Sequence, residues 1–207
     1  MTDGRDLKAG DKAPDFELMT DAGESVRLSE LRGHKVILYF YPEDNTPGCT
    51  AQAQDFRDTI KDFKALGYSI YGVSNDNQAS HCDFRDRYKL TFPLLCDTDR
   101  TVSNLYGVMT EQVKDGKPRI RIERSTFVID ENGVLTHVLR NVVARVHVGE
   151  LLKLLSGKDA CFFAAPASWT SSRLLSEAPI WRRSARKTQS PKSLSERRSP
   201  PQAAATG

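Results

Sequence analysis

Short apolar runs alternate with helix-like apolar spacing along the first 157 residues. Residues 35–41 (KVILYFY) and 68–74 (YSIYGVS) are rich in β-branched and aromatic side chains, which is typical of buried strands. Between them, apolar residues recur at every third or fourth position, which predicts a helix over 47–66 that ends at Gly67. A strand, a helix and a strand of these lengths predict a right-handed parallel βαβ unit.

The rest of this region extends the unit into a larger sheet. Asn132-Gly133 between two strand-like runs is a strong hairpin signal, and residues 21–23 mark a smaller turn near the start. The pattern also predicts helices over 77–88, 98–108 and 147–157, and strands over 92–97, 119–130 and 134–142. The sequence therefore predicts an α/β domain, a mixed β-sheet flanked by helices.

The periodicity stops after residue 157. Residues 158–207 are rich in Ser, Ala, Pro and Arg, so we interpret 1–157 as one domain and 158–207 as a disordered tail. The tail is either an appendage without essential function or a basic interaction arm. It carries a net charge of +6 against +3 for the whole chain, which leaves −3 for the domain. Charge therefore gives no argument that the domain binds nucleic acid.

Composition places the chain among soluble globular proteins, with 39% hydrophobic and 28% charged residues. The four cysteines are dispersed without a C-x-x-C pair, which fits neither a disulfide scaffold nor a zinc site. The four histidines show no ligand spacing either. We see no signal peptide and no apolar run near the ~20 residues of a membrane span. We therefore expect a cytoplasmic protein without membrane attachment, in which a cysteine is more often reactive than structural.

Cys49 lies at a predicted helix start. Thr46 suits the N-cap, and Pro47 suits the first helical position, where its missing N–H costs nothing. Cys49 is then the third helical residue, where unpaired backbone N–H groups and the helix dipole stabilise an anion such as a thiolate. From this segment alone, a buried structural cysteine remains an equally open alternative.

The residues around Cys49 resemble the peroxiredoxins, in particular the bacterioferritin comigratory protein or Q-type subfamily. Pro42, Thr46 and Cys49 form the motif P-x-x-x-T-x-x-C. The resemblance continues through KAGDKAPDFEL, YGVSNDNQASHCDFRDRY and RSTFVID, and covers about residues 7 to 157 but not the tail. It implies a thioredoxin-like fold and thiol-dependent reduction of hydrogen peroxide and organic hydroperoxides, without a metal or an organic cofactor.

The resemblance also implies roles for four residues. Cys49 would be the peroxidatic nucleophile, which attacks the peroxide and becomes a sulfenic acid. Thr46 would align the peroxide, and Pro42 would shield the pocket from water. Arg124 would stabilise the thiolate and the negative charge that develops on oxygen. Taken without the resemblance, Arg124 is better interpreted as a strand residue that faces solvent beside Glu123.

Two positions on the predicted helix depart from the family pattern. Many Q-type members carry a second cysteine five residues after the first, where this chain has Gln54. The frequent family glutamate three residues after the cysteine is Gln52 here. A sulfenic acid at Cys49 must therefore be resolved by a thiol from elsewhere.

Cys82 is the preferred resolving residue, because some Q-type members place the resolver on the same helix. It lies about 200° around that helix from the apolar Phe84, so we expect it to face away from the core. Cys96 ends an apolar run and is expected to be buried and inert, and Cys161 lies in the tail. A disulfide needs Cα atoms within about 7 Å, so a Cys49–Cys82 bond would require local unwinding of both helices.

The expected partners are a hydroperoxide substrate and thioredoxin or a similar dithiol reductant, and we expect a monomer or a weak dimer. A one-cysteine peroxidase resolved by an external thiol is an alternative. A thioredoxin-type disulfide oxidoreductase is disfavoured by the missing C-x-x-C pair. A non-enzymatic redox sensor or holdase, which exposes a binding surface when Cys49 is oxidised, is the alternative from another functional class.

Overall fold

The structure is a computed structural model that describes residues 6–114 and 117–157, and only the backbone at 112–114 and 117. The tail predicted over 158–207 lies outside the described residues. No helix in the described part is long and apolar enough to cross a bilayer.

Most strands belong to one mixed sheet with helices packed against it. The strands are β1 Glu17–Thr20, β2 Ser25–Arg27, β3 Lys35–Phe40, β4 Tyr68–Ser74, β5 Leu94–Cys96, β6 Met109–Lys114, β7 Lys117–Ile122, β8 Ser125–Ile129 and β9 Leu135–Leu139. The helices are α1 Pro47–Ala65, α2 Gln78–Tyr88, α3 Thr101–Leu105 and α4 Ala144–Ser156, with a 3-10 turn at Leu28–Leu31. The main sheet has the order β2-β1-β5-β4-β3-β8-β9. The predicted α/β class with a mixed, thioredoxin-like sheet is confirmed.

The central βαβ unit is also confirmed. Strands β3 and β4 pair in parallel, with Lys35 opposite Tyr68 and Phe40 opposite Val73. Helix α1 connects them, and the chain leaves it through Gly67 at a φ of +84°, a conformation that glycine adopts without strain. The predicted hairpin at residues 131–133 joins β8 and β9 as an antiparallel pair.

The prediction of a single strand over 119–130 was wrong. Strand β7 ends at Ile122 and pairs with β6 in a separate two-stranded sheet, whereas β8 begins at Ser125 in the main sheet. Both halves are rich in β-formers, so composition alone does not reveal the break between them. Glu123 and Arg124 occupy this break, and β6 was not predicted at all.

Strand β3 contributes to the core on both faces of the sheet, because its side chains alternate in direction. Leu38 and Phe40 join the cluster on one face, and Ile37 and Tyr39 join the cluster beneath α1 and α4. Gly72 of β4 lies against Tyr39, and a Cβ atom there would stand 2.8 Å from the Tyr39 ring. This glycine therefore lets an aromatic side chain pack close to the start of α1.

Candidate active site

The start of α1 has the predicted form. Thr46 occupies the N-cap with extended backbone, Pro47 is the first helical residue, and Cys49 is the third and is 2% exposed. The Thr46 side chain makes no capping bond. Its hydroxyl donates instead to the backbone oxygen of Glu43 at 3.0 Å. Because the hydroxyl proton is engaged, the lone pairs of this oxygen remain as acceptors.

Arg124 lies directly against the Cys49 sulfur. Its Nη2 donates to Sγ of Cys49 at 3.2 Å, and its Nη1 donates to Oε1 of Gln52. Gln52 is completely buried and uncharged, so it orients the guanidinium without neutralising it. The cation is thus free to stabilise a thiolate through a charge-assisted hydrogen bond. The solvent-facing alternative for Arg124 does not hold.

The break between β7 and β8 explains this placement. Ser125 pairs with Phe40, the last residue of β3, so Arg124 stands where the chain leaves β3 for the loop 41–46. The backbone oxygen of Arg124 accepts a bond from Val142 at 2.9 Å, which fixes the position from the other side. Arg124 therefore reaches Cys49 across the carboxyl end of β3.

Several buried polar atoms near Cys49 have no hydrogen-bond partner. They include Oγ1 of Thr50, Nε2 of Gln52 and the hydroxyl of Tyr39. Burial raises the pKa of Tyr39 well above its usual value, and negative charge on Cys49 adds to the effect. Unpaired buried donors are unfavourable on their own. These atoms leave hydrogen-bonding capacity beside the sulfur that an oxygen-containing ligand can use.

Pro42 and Thr46 bound the loop between β3 and α1. Pro42 is half-buried two residues after the end of β3, and Asn45 adopts a left-handed φ of +57°, which asparagine tolerates better than most residues. Glu43 pairs with Arg121 of β7 at 3.2 Å. The hairpin of β6 and β7 therefore touches the same loop that carries Pro42 and Thr46.

A buried polar cluster that the sequence did not reveal lies behind this loop. Ligand-type atoms of Asp44, Asp76 and His81 lie within 4.8 Å of one another, a spacing that could hold a metal ion. The same groups are already hydrogen-bonded, since Asp44 accepts from Tyr41 at 2.8 Å and from Ser80 at 2.7 Å. Positions 44, 76 and 81 form no motif along the chain, so their proximity arises only from the fold.

Cys82 points toward the turn between β1 and β2. It is half-buried, and its thiol donates to the backbone oxygen of Asp21 at 3.1 Å. Asp21 also pairs with Arg85 of the same helix. Cys49 and Cys82 are free thiols with different hydrogen-bond partners. A disulfide between them would require Cys82 to leave Asp21.

Cys96 is poorly suited to attack a sulfenic acid. It is half-buried at the end of β5, and burial, together with the negative charge of Asp21, raises its pKa to about 11. A thiol that stays protonated at neutral pH is a weak nucleophile. Of the described cysteines other than Cys49, Cys82 is therefore the better candidate for the thiol that attacks a sulfenic acid. Cys161 lies outside the described residues.

His147 of α4 is held neutral behind the site. It is 2% exposed, and its Nε2 lies 2.8 Å from Oγ1 of Thr126. Burial is the main reason that its pKa falls to about 4, and the positive charge of Arg124 lowers it further. No sequence pattern indicated this role, because the histidine merely falls on an apolar helix face.

We expect this histidine to destabilise the protein in acid. The unfolded chain binds a proton near pH 6.5 and the folded chain near pH 4, so stability falls as the pH falls through that window. The loss should reach about 3 kcal/mol in the free energy of unfolding. Urea unfolding of His147→Gln between pH 7 and pH 4 should show a shallower dependence than wild type. The exposed His34→Gln serves as a control, and equal slopes for both variants would contradict the assignment.

The chain is similar to known proteins over most of its described residues. The profile of the AhpC/TSA family matches residues 9–138. Peroxiredoxin Bcp of Bacillus subtilis is 44% identical over 149 residues, which cover 72% of this chain and 95% of that protein. The bacterioferritin comigratory protein of Xanthomonas campestris, studied for alkyl peroxide reduction, superposes with a TM-score of 0.66 and 33% identity over 69% of this chain and 91% of that one. A peroxiredoxin Q mutant of Xylella fastidiosa superposes with a TM-score of 0.70 and 30% identity, and the match covers 74% of this chain and 98% of that one.

Proposed function

The chain belongs to the AhpC/TSA family and is a thiol-dependent peroxidase, and we propose that Cys49 is the residue that attacks the hydroperoxide. The contact between Arg124 and Cys49, 3.2 Å at the first turn of α1, carries this proposal. It combines a cation, a helix N-terminus and a buried sulfur in one place. These are the features that stabilise a reactive thiolate.

In the peroxide step, the Cys49 thiolate attacks the distal oxygen of the hydroperoxide. The O–O bond breaks, an S–O bond forms, and the leaving alkoxide or hydroxide takes a proton to become alcohol or water. Arg124 stabilises both the thiolate and the charge that moves onto oxygen. The Thr46 oxygen can accept a hydrogen bond from the O–H group of the peroxide, since its own hydroxyl donates to the backbone oxygen of Glu43. Pro42 shields the sulfur from water.

In the second step, we propose that Cys82 attacks the sulfur of the Cys49 sulfenic acid, which releases water and forms a disulfide. The Cys82 bond to Asp21 must break, and the first turn of α1 must unwind to bring the sulfurs together. A thioredoxin-type dithiol then reduces the disulfide by thiol exchange. No metal or organic cofactor enters either step, because sulfur carries the electrons.

Replacing Cys82 tests the resolving role. We expect Cys82→Ser to lower turnover with thioredoxin at least about tenfold, because the sulfenic acid loses its internal partner. The burst in which one equivalent of peroxide oxidises Cys49 should remain. Cys96→Ser is the matched control and should turn over like wild type. Undiminished turnover of Cys82→Ser, or a disulfide mapped by mass spectrometry between Cys49 and Cys96, would overturn the assignment.

The domain boundary and the setting follow from the same cycle. We propose that residues 1–157 form the catalytic domain, since the family profile ends at residue 138 and the Bacillus relative covers 72% of the chain. A cycle that ends in a dithiol reductant needs a reducing compartment, which supports the cytoplasm. The reaction as proposed needs only one copy of the chain, which supports a monomer or weak dimer.

A further inference from the structure

Helix α2 is attached to the domain by few apolar contacts. Of its eleven residues, only His81 and Phe84 are buried. A helix with so little buried apolar surface belongs to the less stable part of a fold, and its polar contacts then decide how firmly it is held. Because α2 also carries Cys82, these polar contacts bear on the second step of the reaction.

Four side chains, those of Tyr41, Asp44, Ser80 and His81, form a closed cluster of such contacts, here called the Asp44–His81 cluster. The side chains of Asp44 and His81 are 2% and 0% exposed. Oδ1 of Asp44 accepts from Tyr41 at 2.8 Å, and Oδ2 accepts from Ser80 at 2.7 Å and faces Nδ1 of His81 at 2.8 Å. Nε2 of His81 faces the backbone oxygen of Leu95 at 3.3 Å. Both ring nitrogens of His81 face oxygen atoms, so the ring is held from two sides.

The cluster joins the loop that leads into the helix of Cys49 to the helix that carries Cys82. Asp44 lies in the loop between Pro42 and Thr46, and its backbone N–H donates to Asp76 at 2.9 Å, which ties the loop to the end of β4. His81 directly precedes Cys82. The loop beside the peroxidatic sulfur is therefore bonded to the helix that carries the second thiol.

The spacing of Asp44, Asp76 and His81 would also suit a metal ion. The hydroxyls of Tyr41 and Ser80 both donate to the Asp44 carboxylate, so this group already has its partners. Such donors recognise negative charge and would have to turn away before a cation could bind. The arrangement is therefore that of a hydrogen-bonded contact between the loop and α2.

We propose that Asp44 and His81 are positioning residues that set how fast α2 separates from the active-site loop. This rests on the proposed roles of Cys49 and Cys82. While the thiols are reduced, the pair holds the loop in place, because breaking its buried hydrogen bonds would leave polar groups without partners. Once the sulfenic acid has formed, the rate of separation limits the rate at which Cys82 reaches it.

The Asp44–His81 cluster then affects which of two reactions consumes the sulfenic acid. Attack by the Cys82 thiol gives a disulfide and water, whereas reaction with a second hydroperoxide gives a sulfinic acid and an alcohol or water. An intact Asp44–His81 cluster delays disulfide formation and so favours sulfinic acid formation at high peroxide concentration. Weakening the cluster should protect Cys49 from this further oxidation.

Tyr41→Phe is the mildest way to weaken the Asp44–His81 cluster, because it keeps the buried ring and removes one hydroxyl. Tyr106→Phe is the matched control, since it removes a buried hydroxyl bond to Pro14 of 2.8 Å in the other core cluster. His81→Asn is a stronger second variant. Two rates are measured on the full chain: maleimide labelling of Cys82 by mass spectrometry, and conversion of the Cys49 sulfenic acid to disulfide after one equivalent of hydrogen peroxide.

We expect Tyr41→Phe to raise both rates about fivefold, the factor for one ordinary hydrogen bond. The second-order rate of Cys49 with peroxide should change less than twofold, and less sulfinic acid should form at excess peroxide. Tyr106→Phe should lower the thermal midpoint while leaving both rates unchanged. Unchanged rates in Tyr41→Phe and His81→Asn, or equal increases in Tyr106→Phe, would overturn the proposal.

The outcome also separates this proposal from the proposed function. If wild type forms no Cys49–Cys82 disulfide, the resolving role of Cys82 fails. Faster labelling of Cys82 in Tyr41→Phe would still show that the cluster holds α2. If the disulfide forms but neither rate responds to Tyr41→Phe and His81→Asn, the resolving role stands and the positioning role fails.

Discussion

Cys49→Ser will lose hydroperoxide reduction, with a fall in the second-order rate constant of at least about a thousandfold. A serine hydroxyl stays protonated at neutral pH and has no reversible oxidised state comparable to a sulfenic acid. The side chain is 2% exposed and similar in size, so the fold should be retained. Consumption of hydrogen peroxide and of an alkyl hydroperoxide, measured with excess dithiol reductant, checks this result.

The control for Cys49→Ser is Cys96→Ser, which removes a thiol of raised pKa outside the site. It should consume peroxide at the wild-type rate. If Cys49→Ser retained more than about a tenth of the activity while Cys96→Ser lost it, the peroxidatic assignment would be wrong.

Arg124→Gln should slow the reaction of Cys49 with peroxide about a hundredfold. Glutamine keeps a hydrogen-bond donor, but it is shorter and lacks the positive charge that stabilises the thiolate and the developing oxyanion. Removing one such donor from an active site commonly costs a factor of about 10² to 10³. Stopped-flow measurement of the second-order rate constant under single-turnover conditions isolates this step from resolution and recycling.

Arg27→Gln is a suitable control for Arg124→Gln. It removes an arginine that also pairs with another side chain, Glu17, but on the exposed surface of the β1–β2 hairpin. Loss of an exposed ion pair has little effect on stability or chemistry. We expect a wild-type rate for this variant. A change of less than about threefold in Arg124→Gln would contradict the role of the guanidinium.

Arg124 acts on three buried groups at once. It donates to the Cys49 sulfur and the Gln52 carbonyl, and its charge helps to keep His147 neutral. Arg124 thus bears on the chemistry of Cys49 directly and, after burial, on the acid instability expected from His147. Positive charge in a buried site favours the thiolate and opposes any further cation nearby.

The sequence was most informative where a local pattern determines the structure. Thr46 and Pro47 placed Cys49 on the third residue of α1, and the parallel pair of β3 and β4 followed from two apolar runs and a helix between them. Such features depend on neighbours along the chain. The residues of one segment are therefore enough to predict these features.

Features that depend on distant residues were harder to predict. The break at Arg124 is hidden because the residues on both sides favour strands, and only pairing with β3 and β6 separates them. The Asp44–His81 cluster joins residues 37 positions apart that form no motif. The helix geometry indicated that Cys82 faces away from the core, yet its half-buried contact with Asp21 depends on a turn 61 positions earlier.

The most direct test of the central claim is to identify the sulfur that peroxide oxidises. Cys82→Ser is treated with one equivalent of hydroperoxide and then with dimedone, which traps sulfenic acids, and the adduct is located by mass spectrometry. We expect a stoichiometric adduct on Cys49 that disappears in the Cys49→Ser, Cys82→Ser double variant. An adduct on Cys96 or Cys161 with Cys49 left unmodified would contradict it.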